Sequence, residues 1–221
     1  MLQSVTKVKI HETRRVGILL AFVGGFLDVN TYLLRGGVFA NAQTGNVVLM
    51  SQNFMCGDWV QSLYYLSPLL SFSLGVFVAE RIENRFKENR PLHWRQIILF
   101  IEMAALALVG LLPARFDMAA NMLVSFSCAM QVQTFRKVQG YGYASTMCIG
   151  NLRSGTESLS QYFRSRDKAA MRKALSLFGI ILIFAVGAGA GGMLSGMFGI
   201  RTIWISVVIL FAVTLIMIKE E

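Results

Sequence analysis

Apolar runs close to the length of a membrane crossing recur along this chain, and they leave few folds open. Residues 16–34, 60–79, 97–112, 118–135, 174–198 and 202–218 are each apolar for most of their length. A helix needs about 20 such residues to cross a hydrocarbon core roughly 30 Å thick. The chain is 55% hydrophobic and only 15% charged over 221 residues. A soluble domain of that size cannot bury so much apolar surface, and the runs leave no length for a separate soluble domain. The pattern predicts one all-α polytopic membrane domain over residues 1–221, in contact with the lipid bilayer. Residues 1–15 are polar and basic and show no signal-peptide cleavage pattern, so the first run is expected to stay in the mature chain.

The formal net charge of +9 invites a nucleic-acid reading. The placement of the charge argues against it. Lys and Arg collect at Lys7, Lys9, Arg14 and Arg15, in the 81–95 loop, at Arg136-Lys137, in the 164–173 loop and at Lys219. These are gaps between apolar runs, as in cytoplasmic membrane loops. If residues 36–53 and 140–161 both enter the bilayer without crossing it, most of the 21 Lys and Arg residues share one side. Arg35, Arg115 and Arg201 take the other side. That asymmetry predicts a multi-pass membrane protein with both termini in the cytoplasm. Cys56, Cys128 and Cys148 are odd in number and far apart, so no disulfide framework or CxxC metal pair is expected. His11 and His93 lie in polar segments that suit solvated roles.

Residues 36–53 (GGVFANAQTGNVVLMSQN) are too polar for an ordinary membrane helix and too apolar for a solvated loop. Residues 140–161 echo them. Each stretch centres on a Gly-Asn pair, Gly45-Asn46 and Gly150-Asn151. The expected architecture is six transmembrane helices plus two broken segments, arranged as two inverted repeats over about 16–113 and 117–218. Three full crossings per repeat is an odd number, so the halves point opposite ways. In the alignment Asp28 lies over Gln131, Asn30 over Gln133, and Thr31-Tyr32 over Thr134-Phe135. A two-residue gap then brings Gly37 over Gly142 and the Gly-Asn pairs into register. The alternative is six unrelated helices with two polar loops.

Irregular backbone at membrane depth has to be buried in protein or line a wet cavity. The candidate substrate-binding set therefore takes the polar residues of the broken segments and their approach: Asp28, Thr31, Asn41, Gln43, Thr44, Gly45, Asn46, Thr146, Gly150, Asn151, Arg153 and Glu157. Helices restarting near Gly45 and Gly150 would aim free N–H groups at an anionic or dipolar solute. The same polar side chains can instead serve only to satisfy broken backbone. Asp28 lies within the first run, where a charge costs roughly 3 kcal/mol. Two readings explain it: proton coupling, or an ion pair with Arg35 seven residues on. Arg153 and Glu157, four residues apart, read as a gate or as a self-neutralising pair. Glu102 is placed near a cytoplasmic helix end, where it can reach water. Gly187, Gly189, Gly191, Gly192 and Gly196 make a nearly side-chain-free face for helix packing, within the chain or in a homodimer.

Residues 24–52, GGFLDVNTYLLRGGVFANAQTGNVVLMSQ, resemble the hallmark of the YoaK-like family of small bacterial membrane proteins. Residues 146–155, TMCIGNLRSG, resemble that family's second motif. The likeness runs over nearly the whole chain, with Gln-Val-Gln-Thr at 131–134 where a more Asn-rich run belongs. It implies a six-span inner-membrane protein and no particular activity. No HExxH, GxSxG or P-loop pattern occurs, so no enzyme, metal or cofactor is expected. The sequence reading is a small secondary transporter for a polar or anionic solute. A channel, or a non-transport membrane protein with a one-sided pocket, is the alternative.

Overall fold

The computed structural model describes residues 13–87 and 93–219. The expectations on Lys7, Lys9 and His11 lie outside the described residues. Eight α-helices follow one another: α1 (Arg14–Leu34), α2 (Gln43–Met55), α3 (Trp59–Phe86), α4 (Trp94–Val109), α5 (Asp117–Thr134), α6 (Cys148–Ser165), α7 (Lys168–Phe198) and α8 (Trp204–Lys219). Three helical stretches, Arg14–Leu34, Trp59–Phe86 and Lys168–Ile218, are long and apolar enough to cross a membrane. The last has 51 residues, and unbroken it would reach about 75 Å, more than twice a hydrocarbon core. It breaks at Gly199, whose φ of 57° and ψ of −143° end α7.

Charged loops turn out shorter than the sequence reading has them. Helix α3 runs through Arg81 to Phe86, and α7 starts at Lys168. Lys, Arg and Glu are good helix formers, and the Glu83–Lys87 pair at 3.8 Å supports the last turn of α3. A two-stranded hairpin, β1 (Lys137–Val138) with β2 (Tyr141–Gly142), corrects the all-α expectation in one place. Pro68 sits inside α3, where its ring leaves the Tyr64 carbonyl without a helical N–H. The Ser67 hydroxyl donates to that carbonyl at 2.9 Å.

The two halves interleave. Helix α1 packs chiefly on α7 of the other half, and α5 packs chiefly on α3. Helix α2 lies on α3, and α6 lies on α7. Helix α4 packs on α5, α8 packs on α1, and α4 and α8 pack on each other. Exchanging α1 to α4 for α5 to α8 therefore reproduces the packing pattern. The main apolar core lies between α1, α4, α5 and α8 and includes Leu20, Leu27, Leu106, Val124, Cys128 and Leu210.

The long helices touch through small residues. A Cβ on Gly187 would collide with the Phe22 carbonyl, and one on Gly75 with the Phe126 carbonyl. The glycine face of α7 thus divides. Gly187 and Gly191 pack within the chain against α1, while a Cβ on Gly189 or Gly196 would meet nothing within 4 Å. Gly187→Val is expected to cost about 1–3 kcal/mol by forcing the helices apart, with Gly189→Val near neutral. Thermal denaturation in detergent checks this, and equal midpoints for the two variants would contradict the packing.

Candidate functional site

Each Gly-Asn pair sits at the start of a helix that follows irregular backbone. Asn46 is the fourth residue of α2, and Asn151 is the fourth of α6. The Asn46 Oδ1 accepts from the Phe39 N–H at 3.2 Å, and its Nδ2 donates to the Phe39 carbonyl at 2.7 Å. The Asn151 Oδ1 accepts from the Ala144 N–H at 3.1 Å, and its Nδ2 donates to the Ala144 carbonyl at 2.7 Å. One side-chain amide thus closes on the backbone of the residue seven positions earlier, twice, with the same geometry. Gln43 joins the first pin, accepting from Asn46 Nδ2 at 2.9 Å and donating to the Ala40 carbonyl at 2.8 Å. Both asparagines satisfy broken backbone in this arrangement.

The turn leading into each extended stretch also repeats. Gly36 and Gly37 have φ of 77° and 75°, and Gln139 and Gly140 have φ of 50° and 79°. Two successive left-handed residues reverse the chain after α1 and again after α5, which explains glycine at three of the four positions. The backbone therefore matches Gly37 with Gly140 rather than Gly142. The two extra residues of the second half fall in the hairpin that follows.

The aligned polar residues of α1 and α5 tie each helix to its surroundings in parallel ways. Asp28 Oδ1 accepts from the Asn41 N–H at 2.8 Å, and Gln131 Nε2 donates to Ser145 Oγ at 2.8 Å. Each bond joins a helix to the extended segment of its own half. Asn30 reaches across to Ser195 on α7 at 3.1 Å, and Gln133 reaches across to Glu80 on α3. Asn41 Nδ2 donates to the Gly24 carbonyl at 3.0 Å, while Thr146 and the Ser145 carbonyl press on Gly24 from the other segment. Ser125 of α5 in turn donates to the Ala40 carbonyl at 3.1 Å. The two segments thus meet the same α1–α5 centre. Thr31 turns inward on its own helix, bonding the Leu27 and Asp28 carbonyls.

Arg35 does not pair with Asp28. Its Nη1 meets Asp117 at 2.7 Å, and its Nη2 donates to the Val109 carbonyl at 3.0 Å. Its own carbonyl accepts from Tyr64 and Asn121. Arg35 stands past the end of α1, where the backbone leaves helical geometry and swings the side chain toward α4 and α5. Glu102 does not reach water either. It is the ninth residue of the sixteen in α4, 0% exposed, and neither carboxylate oxygen meets a partner among the described residues. Helix α4 begins at Trp94, capped by His93, which moves Glu102 to its middle.

The other candidates lie apart from this centre. Thr44, Gly150, Arg153 and Glu157 are exposed, Gly45 is half-buried, and no ion pair joins Arg153 to Glu157 among the described residues. A groove of about 580 Å³ opens between α2 and α3, lined by Met50, Phe54, Met55, Trp59, Leu63 and Leu66 among others. Its wall offers a polar solute little.

A family model described as "Protein of unknown function (DUF1275)" matches residues 16–216. The chain is similar to the UPF0700 transmembrane protein YoaK of Bacillus subtilis (strain 168), with 26% identity over 204 residues, 88% of this chain and 89% of that protein. No solved structure matches the chain.

Proposed function

The chain belongs to the DUF1275 family of YoaK-like membrane proteins, and from that premise we propose that it is a small secondary transporter built from two inverted halves. It carries a small polar solute across the bacterial cytoplasmic membrane through the α1–α5 centre. The observation that carries this reading is the repeated pin, in which Asn46 and Asn151 hold matching extended segments by the same two hydrogen bonds. The interleaved packing of the helices supports it further. Broken segments meeting near the middle of an inverted repeat are the usual site of a carrier. Six crossings, with α2 and α6 entering from opposite sides, keep the basic loops and both termini in the cytoplasm. Helix α2, with 13 residues, extends only about 20 Å and is too short to cross alone.

Asp28 is the coupling group in this account. It is 8% exposed within α1, and its Oδ1 holds the Asn41 amide of the extended segment. A proton arriving at or leaving that carboxyl changes the charge at the joint between helix and segment. Asp28→Asn keeps an oxygen for the Asn41 amide while removing the charge. The variant is expected to fold normally and to lose proton-linked flux by about tenfold or more. Proteoliposomes holding a pH-sensitive dye, challenged with methylammonium, acetate and glycerol in turn, measure it. Undiminished flux in a folded Asp28→Asn protein would remove Asp28 from coupling.

A further inference from the structure

The α1–α4–α5 centre gathers buried hydrogen-bond acceptors that lack donors. Both oxygens of Glu102, the side-chain oxygen of Asn41 and that of Gln131 are buried and meet no donor among the described residues. These residues are 0%, 2% and 1% exposed, respectively. The nitrogens of the two amides are already taken. Asn41 Nδ2 donates to the Gly24 carbonyl, and Gln131 Nε2 donates to the Leu20 carbonyl at 3.3 Å and to Ser145 at 2.8 Å. The oxygen is the end left over in each. Asp28 adds a second carboxylate one turn beyond Gly24. Leu99 and Leu106, which flank Glu102 on the buried face of α4, pack in one cluster with Leu27, Ala40 and Cys128, the neighbours along the chain of Asp28, Asn41 and, about one turn on, Gln131. Arg35, the nearest basic residue along α1, is tied to Asp117 and Val109.

An anion would face two buried carboxyl groups here, Glu102 and Asp28. The N-terminus of α2 does not rescue one, because the Gln43 and Gly45 amides already bond the Asn41 and Ala42 carbonyls. A buried carboxylate without a donor is stabilised by a bound proton or by a positive partner that displaces it. Among the described residues no three His, Cys, Asp or Glu side chains form a group able to hold a metal ion, so the oxygens on offer here are a mixed set of carboxyl and amide groups. We propose that this centre binds a small monovalent cation, with Glu102 as its main partner and Asp28, Asn41 and Gln131 supplying further oxygens. The proposal rests on the carrier reading of the same centre and narrows its solute to a cation.

Calorimetric titration of the full chain in detergent, in a background of N-methylglucamine chloride, tests it. The probes are methylammonium chloride, sodium chloride and N-methylglucamine acetate. Saturable binding of methylammonium or sodium is expected, weakened about tenfold or more in Glu102→Gln. Preference for methylammonium identifies an N–H donor as the ligand, and preference for sodium identifies a metal cation. Independently of any variant, a hydrophobic carbodiimide should label Glu102 in the wild-type protein, more slowly when the cation is bound. Absence of cation binding, unchanged affinity in Glu102→Gln, saturable acetate binding in its place, or labelling indifferent to the cation would each overturn the proposal. Glu102-dependent binding without flux would keep this site and remove the carrier. Flux that ignores Glu102→Gln would keep the carrier and remove this site.

Discussion

Asn46→Ala and Asn151→Ala are each expected to destabilise the protein by about 2–5 kcal/mol, and by similar amounts. Asn46 is 0% exposed and Asn151 is 3% exposed. Truncating either leaves a backbone N–H and a backbone carbonyl unpaired, those of Phe39 or of Ala144. An unsatisfied buried group costs about 1–3 kcal/mol, and each variant leaves two such groups on a half-buried residue, Phe39 or Ala144, which puts the effect toward the lower end of the range. Asn46→Asp should be no better, since it keeps the acceptor for the Phe39 N–H, loses the donor to the carbonyl and buries a charge. Thr44→Ala and Arg153→Ala, on exposed positions of the same two helices, should stay within about 0.5 kcal/mol of wild type. Denaturation midpoints of the four alanine variants in one detergent settle the comparison. A full-strength Asn46→Ala protein beside a crippled Asn151→Ala protein would show that the two pins are not equivalent.

Arg35→Ala is the second large effect, at about 3–5 kcal/mol. The Arg35 side chain is 1% exposed and that of Asp117 is 22% exposed. Breaking a buried pair on one side strands the remaining charge, and the partial exposure of Asp117 puts the effect toward the lower end of that range. The variant also uncovers the Val109 carbonyl, the last of α4, where a guanidinium both donates and complements the helix dipole. Arg35→Lys should recover only part of the loss, because a single ammonium cannot reproduce the fork that reaches Asp117 and Val109 together. Asp117→Asn should cost less than Arg35→Ala, since it leaves the Arg35 contact with Val109 in place. Equal stability of Arg35→Ala and wild type would contradict the role given to Arg35.

The long apolar helices were legible because run length and apolar content are local properties of the chain. The Gly-Asn pairs were legible as special positions for the same reason, since a polar interruption of an apolar pattern stands out. Their role was not. A side chain that reaches back seven residues to pin extended backbone looks, in sequence, like one that faces a solute. Glu102 was misplaced because the apolar window starts at residue 97, while α4 begins at Trp94 on a His93 cap. Counting from that cap moves the carboxylate to mid-helix and makes it the least satisfied group of the centre. The Arg35–Asp117 contact joins residues 82 apart, and nothing local signals it. The alignment of the halves erred at Gly142 because identity marks glycines, whereas the fold needs a left-handed pair and accepts Gln139 in it. The interleaving of the halves is a property of packing, and the spacing of the runs does not contain it.

Sided thiol labelling of Thr44→Cys and Ile149→Cys tests the inverted carrier most directly. Both positions are exposed near the starts of α2 and α6, and neither is part of a pin. Each substitution is made alone in a chain lacking Cys56, Cys128 and Cys148, and an impermeant reagent is applied to intact cells and to inverted vesicles. The account predicts labelling from opposite faces, with a pH gradient or bound methylammonium raising the reactivity of one site as it lowers the other. Labelling of both sites from the same face, unmoved by gradient or solute, would contradict it.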